Sequence, residues 1–282
     1  MMYRLIAPVI GLFFALSAIA ALINGAYTAI TEPAEPTAEH EFHKHPKKLA
    51  LSTNGPFGKF DLQQVQRGYQ VYKEVCAACH SLKYVAIRDL SQLGYSEAEV
   101  KAEAASWTVP GIDPNTGEAT TRPGLPTDYF PSPYPNDVAA RAANNNAIPP
   151  DLSLMAKARH DGAAYVYSLL TGYQGVPKRL AEEFPDSVPS ASLHYNPYFA
   201  NLNLAMAQPL HDGQVTFADG SPNDLDSAAH DVAAFLNWTA EPTLDKRKQT
   251  GWPVLGFLLF ATILAYLAYR NIWADLKAQK KK

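Results

Sequence analysis

Two unbroken apolar runs flank a long stretch in which apolar and polar positions alternate. Residues 5–23 carry no charge over 19 positions. That is long for a signal-peptide core and just long enough to span a bilayer. Arg4 precedes the run, and Ala18-Ile19-Ala20 is a small-residue candidate for cleavage. Two readings therefore stand, a secretory signal or a retained anchor. Both deliver the downstream domain to the far side of a membrane. Near the other end, residues 252–269 are 18 positions without a charge. At about 1.5 Å per residue they cross a ~30 Å hydrocarbon core once their flanks are included. Trp252, Tyr266, Tyr269 and Trp273 suit the two interfaces. The five positive charges after the run (Arg270, Lys277, Lys280, Lys281, Lys282) against the three before it (Lys246, Arg247, Lys248) mildly favour a C-terminus on the cytoplasmic or matrix side.

Between the runs the period is mostly helical. Leu62, Val65, Tyr69, Tyr72 and Val75 recur at three- and four-residue steps, predicting a helix over 57–76 with Asp61 as N-cap. Gly68 inside it costs up to about 1 kcal/mol against alanine, and a close helix crossing would explain it. A second helix is predicted over 91–107, opened by a Ser96–Glu99 capping box. Residues 109–149 are rich in Pro, Gly and Asn, with Tyr129, Phe130 and Tyr134 interleaved. So long an irregular stretch is expected to wrap something large and flat. Pro150-Asp151-Leu152-Ser153 opens a helix predicted to include Met155, Lys157, Arg159 and His160. Another covers 162–170 and stops at Thr171-Gly172. Residues 195–199 and 204–209 read as loops. The last helix of this region starts at Asp226 or Ser227 and runs through Trp238 to a stop at Pro242. Residues 31–48 read as a solvated linker, because His40, His43 and His45 have no carboxylate or cysteine at fixed spacing to complete a metal shell. The expected fold class is mainly α with long loops, plus a C-terminal transmembrane helix.

Charge sharpens this division. Residues 30–245 hold 26 Asp and Glu against 15 Lys and Arg, so the net charge of −3 hides an acidic domain beside a basic tail. Such a domain repels nucleic acid and favours a basic partner. Glu97, Glu99 and Glu103 are expected to form an acidic face, whose simplest meaning is solvation.

The chemistry concentrates at Cys76-Ala77-Ala78-Cys79-His80. These are the chain's two cysteines, and a histidine comes directly after them. Two thiols held about one helical turn apart can add to the two vinyl groups of one haem, with the imidazole beneath the iron. A zinc site would need two more soft ligands, and a redox dithiol should follow a strand rather than a helix. One covalent haem c is therefore the expected cofactor. It agrees with export, since attachment takes place beyond the membrane. For the second axial position the candidates are Met155, Met206 and a free histidine. Met155 falls on an apolar helix face where methionine usually packs. Met206 lies in a loop ended by Pro209 and is favoured. Arg159 is a candidate partner for a haem propionate, with a plain surface arginine as the alternative. No phosphate-binding loop, nucleophile elbow or zinc-protease helix occurs. No catalytic residue is expected on this chain.

Several segments taken together resemble the cytochrome c1 family, the haem c subunit of the bacterial and mitochondrial cytochrome bc1 complex. They are Arg67-Gly68-Tyr69-Gln70-Val71-Tyr72 before the haem motif, Asp128-Tyr129-Phe130-Pro131 with Pro133-Tyr134-Pro135-Asn136, and the run 139–145. Pro149-Pro150-Asp151-Leu152-Ser153, Lys157-Ala158-Arg159-His160, residues 165–173, residues 195–199, Met206 and Ala240-Glu241-Pro242 are similar as well. The resemblance covers roughly 55–275. It implies thioether links at Cys76 and Cys79, axial ligation by His80 and Met206, and Arg159 with Tyr165 near the propionates. It also implies a respiratory electron path, from a Rieske iron–sulphur protein to a soluble or anchored cytochrome c. Cytochrome b would lie beside the anchor in a dimeric complex. The expected layout is a signal or anchor over 1–29, a linker over 30–54 and a haem domain over 55–245 on the periplasmic side of the inner membrane. A transmembrane helix at 250–273 and a basic cytoplasmic tail at 274–282 complete it. Cysteines that some relatives use for an extra disulfide are absent.

Overall fold

Gly68 sets how closely the two main helices of the domain approach. A computed structural model of the chain describes residues 3–32 and 35–274. Its helices are α1 (Tyr3–Thr31), α2 (Ala38–Phe42), α3 (Leu62–Glu74), α4 (Glu97–Ser106), α5 (Asp137–Ala143), α6 (Met155–Ala158), α7 (Gly162–Leu170), α8 (Lys178–Glu183), α9 (Leu225–Ala240) and α10 (Leu244–Ile272). A Cβ on Gly68 would sit 2.0 Å from the Asp231 carbonyl oxygen and 2.7 Å from the Phe235 Cβ, so α3 crosses α9 in direct backbone contact at this point. Arg67 closes the crossing with a 2.7 Å ion pair to buried Asp231. Tyr69 and Tyr72 of α3 face Phe235 of α9, and Phe130 and Trp238 extend the same aromatic core.

Local signals set where these helices begin and end. The Asp61 carboxylate accepts from the backbone N–H groups of Gln63 and Gln64, so α3 starts at Leu62 and not at Phe57. The segment before it is a closed turn in which a Cβ on Gly58 would lie 2.3 Å from the Asn54 carbonyl oxygen. The helix predicted over 91–107 is split. Ile87–Leu93 is a 3₁₀ turn that ends on Gly94 at φ 94°, a left-handed conformation that favours glycine. Ser96 and Glu99 then form the expected capping box of α4. Within 109–149, a region expected to be irregular, an antiparallel hairpin appears, β1 (Thr108–Ile112) with β2 (Ala119–Pro123), paired from Thr108↔Pro123 to Ile112↔Ala119. Helix α5 comes next, capped by Asn136. The helix predicted from Pro150 shrinks to α6. Its end at Ala158 leaves Arg159 extended, and Asp161 at φ 62° starts α7 afresh. Two short antiparallel strands, β3 (His194–Tyr195) and β4 (Asn203–Leu204), close the loop region before α9.

Residues 35–54 are not the solvated linker expected. They strap along the domain. Ala38 is buried with Leu180, Tyr195 and Leu202, and Phe42 meets Phe184 edge-on. The Lys44 N–H donates to the Pro197 carbonyl at 2.7 Å. The Lys47 ammonium donates to Thr171 Oγ1 at 2.7 Å and lies over the rings of Tyr167 and Tyr198. Apolar side chains hidden among the polar ones, together with these hydrogen bonds, explain the docking. Among the described residues no group of His, Cys, Asp and Glu is arranged to hold a metal, the three histidines of this strap included. Helix α1 and the apolar stretch of α10 are unburied, and both helices are long and apolar enough to cross a membrane. Helix α10 begins at Leu244, ahead of the uncharged run, and continues through Pro253. The lysines at 277 and 280–282 lie outside the described residues.

Candidate haem site

Helix α3 ends where its chemistry begins. The N–H of Val75 still reaches Val71, but the next turn tightens to 3₁₀ geometry over Cys76–Ala78. The N–H groups of Cys79 and His80 both donate to the Cys76 carbonyl, at 3.1 and 2.8 Å. One turn of backbone thus carries both thiols and the imidazole. Both thiols are free and half-buried. Burial, with Cys79 alongside, pushes the Cys76 thiol up to about 12, so it is neutral at pH 7.

His80 is oriented by a residue seventy positions away. Its Nδ1 lies 2.8 Å from the Pro150 carbonyl oxygen. A carbonyl can only accept, so Nδ1 carries the proton and the Nε2 lone pair is left for a metal. Burial lowers the imidazole pKa, with Pro150 and Asp151 opposing, and keeps the ring in its neutral, ligating form. Asp151 holds the Pro150 turn in place. Its carboxylate accepts from Ser81 Oγ and the Lys83 N–H, each at 2.8 Å, and from the Ser153 N–H at 3.0 Å. Burial works to raise the Asp151 pKa, but these hydrogen bonds outweigh it and hold the carboxyl below its ordinary value. The Tyr72 hydroxyl donates to the His80 carbonyl at 3.1 Å. Tyr72, Ser81, Pro150 and Asp151 position the His80 turn, a role that residue-level reading did not assign to them. The usable signal was Asp151-Leu152-Ser153 directly after two prolines, an Asx-turn pattern too short to serve as a helix start.

Met206 is carried by the loop over 196–206. Asn196 is fully buried; its amide donates to the Leu169 carbonyl at 2.8 Å and its Oδ1 accepts from the Tyr198 N–H. Gly172 sits against this loop, with no room for a Cβ 2.5 Å from the Tyr198 ring. Tyr173, next in line, donates its hydroxyl to the Met206 carbonyl at 2.9 Å. Met206 is half-buried on this loop, and Met155 is only 8% exposed within the main core. Val75, Cys76, Ala77, Tyr165 and Met206 all pack on that same core while keeping part of their surface exposed. Arg159 and Tyr165 are brought together: burial raises the Tyr165 pKa and the Arg159 guanidinium at its hydroxyl opposes it. Among the described residues no carboxylate forms an ion pair with exposed Arg159. Ile148 and Leu154, on either side of the Pro150 turn, also remain exposed. Paired thiols, an imidazole with Nε2 free, a loop thioether, an arginine without a carboxylate and exposed aliphatic side chains make a donor set that fits a covalently held haem.

The expected acidic face does not form as a unit. Glu97 pairs with Lys101 and Glu99 caps α4. Glu103 turns inward, with its side chain 16% exposed. It accepts from the Tyr69 hydroxyl, from Lys73 at 2.6 Å and from Trp107 Nε1 at 3.0 Å. Burial would raise its pKa, but the donors from Lys73 and Tyr69 outweigh burial and lower it. A lowered folded value means stability that is complete above the ordinary carboxylate range and is lost as the pH falls through the folded pKa. Glu103→Leu is expected to cost about 2 kcal/mol, because a buried donor left without a partner costs about 1–3 kcal/mol. Chemical denaturation from pH 7 down to 3 checks this. The difference between wild type and variant should shrink in the acid part of that range.

A mainly helical domain, held to an apolar C-terminal helix and presenting a thiol–thiol–imidazole turn, defines an anchored c-type cytochrome. Comparison with known proteins makes this more specific. The model of the Cytochrome C1 family matches residues 51–276, and the chain belongs to that family. It is 45% identical over 239 residues to cytochrome c1 of Rhodospirillum rubrum, covering 82% of this chain and 88% of that one. It is 42% identical over 254 residues to the mitochondrial cytochrome b-c1 complex catalytic subunit of Candida albicans, covering 89% and 85%. Against the cytochrome b/c1 protein of Bradyrhizobium diazoefficiens it is 45% identical over 237 residues, which is 78% of this chain and 34% of that longer protein.

Proposed function

We propose that this chain is the haem c subunit of a quinol–cytochrome c reductase, accepting an electron from a Rieske iron–sulphur protein and passing it to cytochrome c. One haem would be held by thioethers at Cys76 and Cys79, with His80 and Met206 as the residues that would ligate its iron and Arg159 and Tyr165 as those that would meet its propionates. Bound there, it would supply one-electron transfer. This chain's residues orient His80, exclude water and fix the loop that carries Met206. The oxidoreductase activity belongs to the whole complex, a dimer in which cytochrome b packs beside α10. Residues 55–245 form the haem domain on the periplasmic face of the inner membrane. Helix α1 serves as a signal or as a second anchor, and either role places that domain on the same side.

The orientation of His80 by the Pro150 carbonyl carries this reading, because it leaves one ring nitrogen for iron. The test is the optical spectrum of the purified protein, oxidised and dithionite-reduced, with subsequent mixing of the reduced protein with a soluble cytochrome c. Low-spin spectra in both states and rapid oxidation by the cytochrome are expected. A high-spin ferrous form that takes up carbon monoxide at once would point to an open iron site and overturn the proposal.

A further inference from the structure

The first turns of α10 do not hang free beneath the domain. The Phe60 N–H donates to Asp245 at 3.1 Å, and Lys248 donates to the Gly55 carbonyl at 2.7 Å and to the Thr53 carbonyl. Thr53 is itself tied to α9 by the Asn237 amide at 3.0 Å. Glu241, between α9 and α10, pairs with both Lys157 and Arg247. The loop 53–60 is thus fastened to the top of the anchor. Its tip is Phe57, 75% exposed, whose ring stacks at 5.1 Å on Trp252, itself 48% exposed. Two large aromatic side chains exposed together are uncommon on a surface that faces only water.

The depth of Trp252 is set by the helix. From Trp252 to Trp273 is roughly 32 Å at about 1.5 Å per residue, which matches a hydrocarbon core of about 30 Å. The two tryptophans therefore mark the two boundaries, where such rings concentrate. Phe57 lies at the same height as Trp252 because it is stacked on it. Lys59, two residues after Phe57, and Lys246, six before Trp252, are both exposed and could reach lipid phosphates.

The geometry points to a membrane-seated foot: the loop 53–60 rests in the headgroup layer, with Phe57 immersed beside Trp252, and so holds the haem domain at a fixed height and tilt on the bilayer. The occupant of this surface is lipid. This foot requires that α10 span the membrane, which is part of the proposed function.

The experiment places a nitroxide on Phe57→Cys in the full-length holoprotein, with any subunits that co-purify, in nanodiscs of mixed zwitterionic and anionic lipid. Thr116→Cys, in the turn between β1 and β2, gives the water reference, and Leu259→Cys reports the anchor. Power saturation then compares collision with oxygen and with a water-soluble nickel chelate. The foot predicts an oxygen-to-nickel ratio several-fold above that of Thr116→Cys and below that of Leu259→Cys. A ratio equal to the water reference, with Leu259→Cys shielded from nickel, overturns the foot and leaves the anchor standing. Protection of Phe57→Cys from both reagents means another protein covers the loop, and also overturns it. A nickel-accessible Leu259→Cys would defeat the anchor itself. A Lys59→Cys label provides a second reading if the change at Phe57 disturbs the stack.

Discussion

Met206→Leu is expected to convert the protein from a low-spin relay into a high-spin species that binds carbon monoxide. The weak far-red thioether–ferric band should vanish, and the reduction potential should fall by on the order of 0.2 V, given that axial-ligand choice spans about 0.8 V. At about 59 mV per tenfold for one electron, that shift is roughly three decades in equilibrium constant. It is enough to stop acceptance of electrons from a donor of similar potential. The fold itself should survive, because leucine conserves the apolar volume and the contact made by this residue's backbone, the Tyr173 hydroxyl on its carbonyl, does not depend on the side chain. Potentiometry and spectra of the purified variant decide the matter. Unchanged spin state and potential would remove Met206 from the iron. The other thioether offers a built-in comparison: Met155→Leu lies in the core and should leave the spectrum unaltered.

Gly68→Ala is expected to be the most damaging single-methyl change in the domain. The added carbon would meet the Asp231 carbonyl at 2.0 Å, and that oxygen belongs to helix backbone and cannot swing away. Relief requires α3 and α9 to separate, which loosens the Arg67–Asp231 ion pair and the Tyr69, Tyr72 and Phe235 contacts together. Alanine's better helix propensity returns at most about 1 kcal/mol, while overpacking of this kind costs about 1–3 kcal/mol and at times more. The net loss should be about 2 kcal/mol, and the Tm should drop by on the order of 4–8 °C at about 2–4 °C per kcal/mol. Differential scanning calorimetry of the holoprotein measures it. Gly251→Ala, in a helix where nothing lies within 4 Å, is the matched control and should not lower the Tm. Equal Tm values for the two variants would mean that the crossing tolerates a side chain.

These effects show where sequence and structure part company. The thiol–thiol–imidazole turn was readable because it lies in the spacing of five adjacent residues. The caps at Asp61 and Ser96 were readable for the same reason, each acting on N–H groups within three residues of itself. Gly68 could be flagged but not assigned, since its cost is local and its purpose lies on α9. The acidic run of α4 misled, because charge along a helix says nothing of which face turns inward. Glu103 goes in because Tyr69, Lys73 and Trp107 converge on it. The strap over 35–54 was hidden by its polar composition, which left Ala38 and Phe42 without an obvious partner until Leu180 and Phe184 came beside them.

The chain by itself therefore determined the two apolar spans, the mainly helical class and the thiol–imidazole motif. All of these rest on composition and short-range spacing, in which a residue's neighbours in sequence are its neighbours in space. Tertiary structure alone decided which nitrogen of His80 is left free, because the Pro150 carbonyl reaches it across a separation of 70 residues. It likewise decided that Lys47 bolts the strap to the end of α7 and that loop 53–60 grips the top of the anchor. Such contacts depend on the rotation of whole helices about their axes, and that rotation is set by the packing of the core.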